Sequence, residues 1–205
     1  MIMRVFSRIA LVSLLACAAV SAGPITFLFN GIVTQVPIDD IYLDIVPGQP
    51  FQGSYTFEST SSDQIPGDPA TASYLSTGVP FLMTLSLAGH TFTAADSVSI
   101  GVFNTFIDQY TVFALGSGGG LTLEIFLQDN SATAFANDSL PLALLLSSFP
   151  TADFHLHEVA AGGEVQVDGQ ITSLTTGRSD VPEPSTAFTL CGGAFAVWAL
   201  SRRRQ

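Results

Sequence analysis

The segment "LTLEIFLQ", residues 121–128, puts Leu121, Leu123, Ile125 and Leu127 on one side of an extended chain and Thr122, Glu124 and Gln128 on the other. Successive side chains of a strand point to opposite faces, so a period of two with one apolar face is the signature of a half-buried β-strand. The same period extends in both directions. "FQGSYTFE" (51–58) aligns Phe51, Gly53, Tyr55 and Phe57; "PFLMTLSLAG" (80–89) aligns Phe81, Met83, Leu85 and Leu87; "SVSIGVF" (97–103) aligns Val98, Ile100 and Val102. "ITFLFNGIVTQV" (25–36), "DQYTVFAL" (108–115), "DFHLHEV" (153–159) and "EVQVDGQITSL" (164–174) behave alike. Between them lie "VPGQP", "SSDQIPGDPA", "GSGGG" and "AAGG", whose Gly, Pro, Ser and Asp residues make turns.

Roughly eight or nine short strands, each with one apolar face, predict an all-β fold. Two sheets packed face to face, a β-sandwich of jelly-roll or Greek-key type, would bury those faces. No sustained 3.6-residue period competes. "SLPLALLLSSFP" (139–150) is compatible with a buried strand or a short helix.

Charge is unevenly spread over the 205 residues. There is no Lys. Arg4 and Arg8 stand at the start, Arg202, Arg203 and Arg204 at the end, and Arg178 is the single basic side chain between Gly23 and Glu183. Sixteen acids against that one Arg leave residues 23–180 with a net charge of −15 when His is neutral. Such a body repels phosphate backbones and anionic lipid, which argues against nucleic acid as a partner. Cations and neutral glycans are compatible.

Residues 1–22 read as a signal peptide: a basic start with Arg4 and Arg8, an apolar run from Ile9 to Val20, then Ser21 and Ala22 before Gly23-Pro24. Cleavage is expected between Ala22 and Gly23 by signal peptidase. The run is too short for the roughly 20 residues of a membrane span, and a lipoprotein site at Cys17 in "LLAC" is the rival reading. Cys17 and Cys191 both fall outside residues 23–180, so no disulfide is expected in the body and thiolate chemistry is excluded there.

Residues 181–205, "VPEPSTAFTLCGGAFAVWALSRRRQ", differ in kind. Pro182 and Pro184 keep the chain extended. The uncharged stretch Ala187 to Leu200 would make a helix of about 21 Å, short of the ~30 Å hydrocarbon core unless its flanks extend it and the arginines snorkel. Gly192-Gly193 and the lack of a polar face count against a core helix. Val181-Pro182-Glu183-Pro184, then a short apolar segment, then Arg202-Arg203-Arg204 as a membrane stop, resembles the PEP-CTERM sorting signal of Gram-negative bacteria. The resemblance covers about 25 residues and implies export across the inner membrane, transient anchoring through a C-terminal helix, and processing near Pro182-Glu183-Pro184 by an exosortase, in hosts that make exopolysaccharide. It implies a cell-surface or extracellular location and says nothing of the body's chemistry.

The search for chemistry yields little. Without Lys there is neither a P-loop nor a lysine nucleophile. Ser117 in "GSGGG" lacks the strand-to-helix elbow of an activated serine. His155 and His157 in "FHLHE" share a strand face with Glu158 and Glu164 nearby; they are the weak metal candidates, two ligands without a recognisable third. The acidic loop bearing Glu58, Asp63 and Asp68 is the place for Ca²⁺, although it lacks the EF-hand order. No catalytic residue and no cofactor are expected. For a glycan-binding module the stacking candidates are Tyr42, Tyr55, Tyr74 and Tyr110, since Trp198 belongs to the tail. For a two-carboxylate hydrolase no pair of acids is singled out. A structural or adhesive surface protein is the expectation that address, acidity and missing catalytic residues share.

Overall fold

The computed structural model describes residues 23–177. The alternating runs all become strands: β1 (Pro24–Asp39), β2 (Pro50–Glu58), β3 (Thr71–Thr77), β4 (Met83–Leu87), β5 (His90–Ala94), β6 (Ser97–Asn104), β7 (Asp108–Leu115), β8 (Leu121–Asp129), β9 (Thr151–Ala160) and β10 (Gly163–Gly177). They form one antiparallel sheet in the order β3-β6-β7-β8-β9-β10-β1-β2-β4-β5. The all-β expectation holds, with β3 and β5 added to the strands the alternation announces. "SLPLALLLSSFP" is neither a strand nor an α-helix. It holds one 3₁₀ turn, Leu146–Ser148, with Leu142 and Leu145 exposed and Phe149 buried.

Neighbouring strands are mostly neighbours in sequence, and of the three pairs that are not, β3-β6, β10-β1 and β2-β4, the first and last belong together. β3 pairs β6, so the β4–β5 hairpin is carried to the opposite end of the sheet, against β2. That hairpin turns on Ala88 and Gly89, both with positive φ (52° and 86°), the pair of left-handed residues that a two-residue hairpin needs to match strand twist.

The apolar face is buried along the whole sheet. Phe27, Tyr55 and Phe57 stack on the β1–β2 half, with centroids 5.2 to 6.2 Å apart. Phe29 of β1 and Phe51 of β2 meet Phe154 of β9 at 5.8 and 4.9 Å. Phe51 reaches Phe154 across β1 and β10 over Gly31 and Gly169, and the hydroxyls of Tyr55 in β2 and Tyr110 in β7, five strand positions apart, meet at 3.2 Å, so the sheet curls until its apolar face closes on itself. Closure is helped by irregular pairing of the long strands β1 and β10, with register shifts between Asn30 and Gly31 and between Val33 and Gln35. Such bulges bend a strand and increase its twist.

The two edges of the sheet differ. At β3, Gln64 N–H donates to Ser73 O at 2.8 Å, Ser73 N–H donates to Asp63 Oδ1 at 3.0 Å, and the Ser61 hydroxyl donates to Leu75 O at 3.3 Å, so the 59–70 loop covers that edge. Among the described residues nothing comparable covers Thr91 and Thr93 of β5.

Candidate functional site

His155 and His157 do lie on one outer face, since Phe154 before them and Leu156 between them are buried. Each already has an acidic partner: His155 Nδ1 lies 2.8 Å from Asp168 Oδ1, and His157 Nε2 lies 2.7 Å from Glu164 Oε1. The register puts Glu124 opposite His155 and Asp168 beyond it, making a row of acid, base and acid across β8, β9 and β10. Among the described residues no three His, Cys, Asp or Glu side chains converge closely enough to hold a metal ion. What the arrangement does is pair each histidine with a carboxylate of the neighbouring strand β10.

The acidic loop does not pool its charges. Asp63 Oδ1 accepts from the N–H of Ile65 and Ser73, Asp68 Oδ1 from Ala70 N–H, and Glu58 Oε1 from Thr60 N–H and hydroxyl. Each carboxylate shapes its own turn, as Asp side chains do in Asx turns. Ser117 sits in a 3₁₀ turn and its hydroxyl donates to Asp96 Oδ1 at 3.2 Å, so the glycine-rich loop serves the β7–β8 hairpin.

Two carboxylates that the sequence reading passed over are the most buried. Asp108 and Asp129 face each other at the β7–β8 end. Asp129 accepts from Ser131 N–H and hydroxyl, from Thr133 N–H and hydroxyl, and from Ala134 N–H, at 2.6 to 3.1 Å. The Ser131 hydroxyl is the largest of the influences that hold its carboxyl well below the usual range, followed by the two backbone N–H groups. Asp108 Oδ2 accepts from Phe135 N–H at 2.8 Å. With N–H groups turned toward them, these carboxylates fasten the loop after β8 and present no cation cradle. The signal was there in "DNSAT" (129–133), an Asp with hydroxyl residues two and four positions later.

The four tyrosines do not make an exposed stacking platform. Tyr55 and Tyr110 are fully buried, and Tyr74 is nearly so, its hydroxyl donating to Asp138 O at 3.0 Å. Tyr42 packs on His90 and Phe92, and its hydroxyl donates to Glu158 Oε2 at 2.8 Å. Its partial burial and that carboxylate push its pKa up to about 12.

The outer surface of the sheet divides by charge. Across β8, β9 and the first part of β10 it carries Glu124, Asp153, His155, His157, Glu164 and Asp168. Across β5, β4, β2, β1 and the end of β10 it carries hydroxyls and amides. One row of directly paired residues runs Thr91, Ser86, Gln52, Asn30, Ser173; the next runs Thr93, Thr84, Ser54, Leu28, Thr175. Neither row holds a charge. Hydrogen bonds tie parts of this surface together, Ser54 to Thr84 at 2.9 Å, Thr26 to Thr56 at 2.9 Å and Asn30 to Ser173 at 2.8 Å. A groove of about 450 Å³ opens on it beside the β1 bulge, lined by Asn30, Ile32, Gln52, Ser86, Ala88 and Thr172 among others.

Val181, Pro182, Glu183, Pro184, Arg202, Arg203, Arg204 and Ala22 lie outside the described residues. Gly23 begins them, its N–H donating to the Ser59 hydroxyl at 3.2 Å. No protein-family model, no curated protein and no solved structure matches the chain.

Proposed function

We propose that this chain is an exported surface or extracellular-matrix protein with a structural or adhesive role, delivered by a signal peptide (1–22), sorted by an exosortase through residues 181–205, and acting through a non-enzymatic body (23–180). One observation carries the reading: Val181-Pro182-Glu183-Pro184, a short apolar segment and Arg202-Arg203-Arg204 occur in that order behind a signal peptide and an acidic body. The body is a β-sandwich of Greek-key type. Its support is the meeting of Tyr55 of β2 with Tyr110 of β7, five strand positions apart, and the pairing of β3 with β6 past the β4–β5 hairpin. The unbroken run β6 to β10 in the sheet order favours Greek key over the interleaved jelly roll.

In this reading the arginines keep the short helix from slipping through the bilayer until processing is complete. Replacing all three with Ser is expected to move the protein from the membrane fraction and the cell surface into the medium without processing near Pro182. Unchanged fractionation and unchanged processing of that variant would refute the sorting role. The mature chain is expected to begin at Gly23 by intact mass, and a lipid-bearing Cys17 in its place would replace signal peptidase cleavage with lipoprotein processing.

The alternative, a glycan-binding module, gains from the uncharged face of the sheet and loses from the buried tyrosines.

A further inference from the structure

We infer that the groove beside the β1 bulge binds a strand of neutral polysaccharide, with Gln52 and Ser86 as its principal hydrogen-bonding side chains. The inference shares the surface-protein reading only in where the ligand would be met. Three observations meet in it.

The first is charge. Fifteen acids lie in the described residues, yet the row that supplies Asn30, Gln52 and Ser86 to the groove and the row beside it contain none, and Asp44, near the Gly89 end of the groove, is engaged by His90 at 2.9 Å. The rest of the domain makes a negative field that disfavours polyanions. Cations are drawn instead to the half of the sheet bearing Glu124, Asp153, Glu164 and Asp168. A neutral ligand is the one for which this face is best suited.

The second is hydrogen-bonding capacity. Hydroxyl and amide side chains both donate and accept, as a polyhydroxylated chain requires of its partner. Ser54 and Thr84 satisfy each other. In the neighbouring row Gln52 and Ser86 are paired across the strands but neither side chain has a hydrogen-bond partner among the described residues. The Asn30 amide nitrogen is held by Ser173, which fixes its carbonyl oxygen at the groove.

The third is shape. Gly31 and the buried Phe51 lie beneath the groove, and Ile32 and Ala88 contribute apolar contact for the C–H faces of sugar rings. The groove, of about 450 Å³, is open along the sheet surface, a shape that suits an extended chain rather than an enclosed small molecule. Thr91 and Thr93 of β5, at the end of these rows, are exposed and form no backbone hydrogen bond to a segment other than β4 among the described residues, so the uncharged rows run to the edge of the sheet.

The test uses the full chain, purified in a polyoxyethylene detergent that carries no sugar, and native electrophoresis through gels cast with one polysaccharide each. Dextran and a soluble mixed-linkage β-glucan are the neutral probes, and alginate is the anionic one. Retardation by at least one neutral probe and none by alginate is expected. Gln52→Ala with Ser86→Ala should weaken that binding about tenfold, as the loss of two hydrogen bonds implies. Glu124→Gln, on the acidic half, should leave it unchanged. Gln52 and Ser86 are exposed and Glu124 is half-buried, and melting temperatures equal to the parent's would establish that both variants fold. No retardation by either neutral probe, retardation by alginate, or full binding by the folded Gln52/Ser86 variant would overturn the inference. Sorting in cells is scored separately, so loss of binding with normal sorting counts against this site alone.

Discussion

The hydroxyls of Tyr55 and Tyr110 lie 3.2 Å apart, both side chains fully buried. Tyr55 belongs to β2 and Tyr110 to β7, five strand positions away in the sheet. On a flat sheet that spacing would be about 24 Å. The contact is therefore a direct measure of how far the sheet curls, and it places the one polar pair of the aromatic core where the two halves meet. Removing one hydroxyl leaves the other buried without a partner, which costs about 1–3 kcal/mol. Tyr55→Phe and Tyr110→Phe should each lower the melting temperature by roughly 2–10 °C at this chain length. The double variant should lose less than the sum of the two. Additive losses in a double-mutant cycle would mean that the hydroxyls do not act as a pair.

The same burial sets an alkaline limit. Burial is the first cause that raises the pKa of Tyr55 and of Tyr110, and burial with Glu158 raises Tyr42 to about 12. A phenol with a folded pKa above its unfolded value of ~10 contributes stability that is complete below pH ~10 and lost as pH rises toward the folded value. Urea titrations should therefore give constant stability from pH 7 to 9 and a fall above about pH 10. The fall should coincide with phenolate absorbance in the unfolded fraction. Phenolate appearing while the fold is intact would contradict the buried placement.

Most of the fold was legible because its strands bury one face and so repeat every second residue. β3 and β5 were not, for separate reasons. In "TASYLST" (71–77) the inward positions are Ala72, Tyr74 and Ser76, and the buried Ser76, whose hydroxyl accepts from Glu58 N–H, breaks the apolar run. In "HTFTA" (90–94) only Phe92 and Ala94 point inward, and the turn before them uses Ala88 with Gly89 rather than Asn or Asp with Gly. The run 139–150 misleads in the opposite sense. Its leucines promise a regular element, yet Leu140, Leu144 and Leu146 pack only partly against the core while Leu142 and Leu145 are exposed, and the chain ahead of it is fastened at residues 131–135 by Asp129 and Asp108, bonds that leave no periodic trace. The uncharged half of the sheet was equally hidden, because its rows are made by register between strands distant in sequence.

Phe51 joins two glycines. A Cβ at Gly169 would strike the Phe51 ring, with the nearest backbone atom, Ile32 O, at 3.2 Å. A Cβ at Gly31 would strike both the same ring and the Gln170 carbonyl. Either Gly→Ala change is expected to cost about 1–3 kcal/mol as overpacking. Phe51→Leu should relieve most of the cost at Gly169 and little of it at Gly31, because a side chain can be shortened and a backbone carbonyl cannot. Chemical denaturation of Gly31→Ala, Gly169→Ala, Phe51→Leu and the two double variants decides it, and equal rescue at both glycines would exclude the backbone clash.

Asp129 fastens the loop after β8 through five donors. Its lowered pKa means that it contributes stability above the unfolded value near 4, lost as pH falls through and below that value. Asp129→Asn removes the charge and turns a donor toward N–H groups. The variant should melt at a lower temperature at pH 7 and show a shallower loss of stability between pH 5 and 2 than the parent. Parallel acid curves for the two proteins would show that the carboxylate is not responsible.

Truncation after Asp180 tests how the body relates to the residues beyond it. Among the described residues the buried apolar side chains lie between Phe27 and Leu174, and β10 is paired to β1 through the Thr26–Gly177 register. The inward faces of these strands close on one another, with Phe51 on Phe154 and Tyr55 on Tyr110. A chain ending at Asp180 should therefore give a β-type circular dichroism spectrum, unfold cooperatively, and melt within about 2 °C of the full chain, as expected for a change outside the core. In cells the truncated chain should be exported and released. Two results would separate the alternatives: a truncated body that is folded and released supports a tail that serves as an address. A body that is unfolded would make residues 187–200 a core helix, since only the loss of buried surface could have that effect.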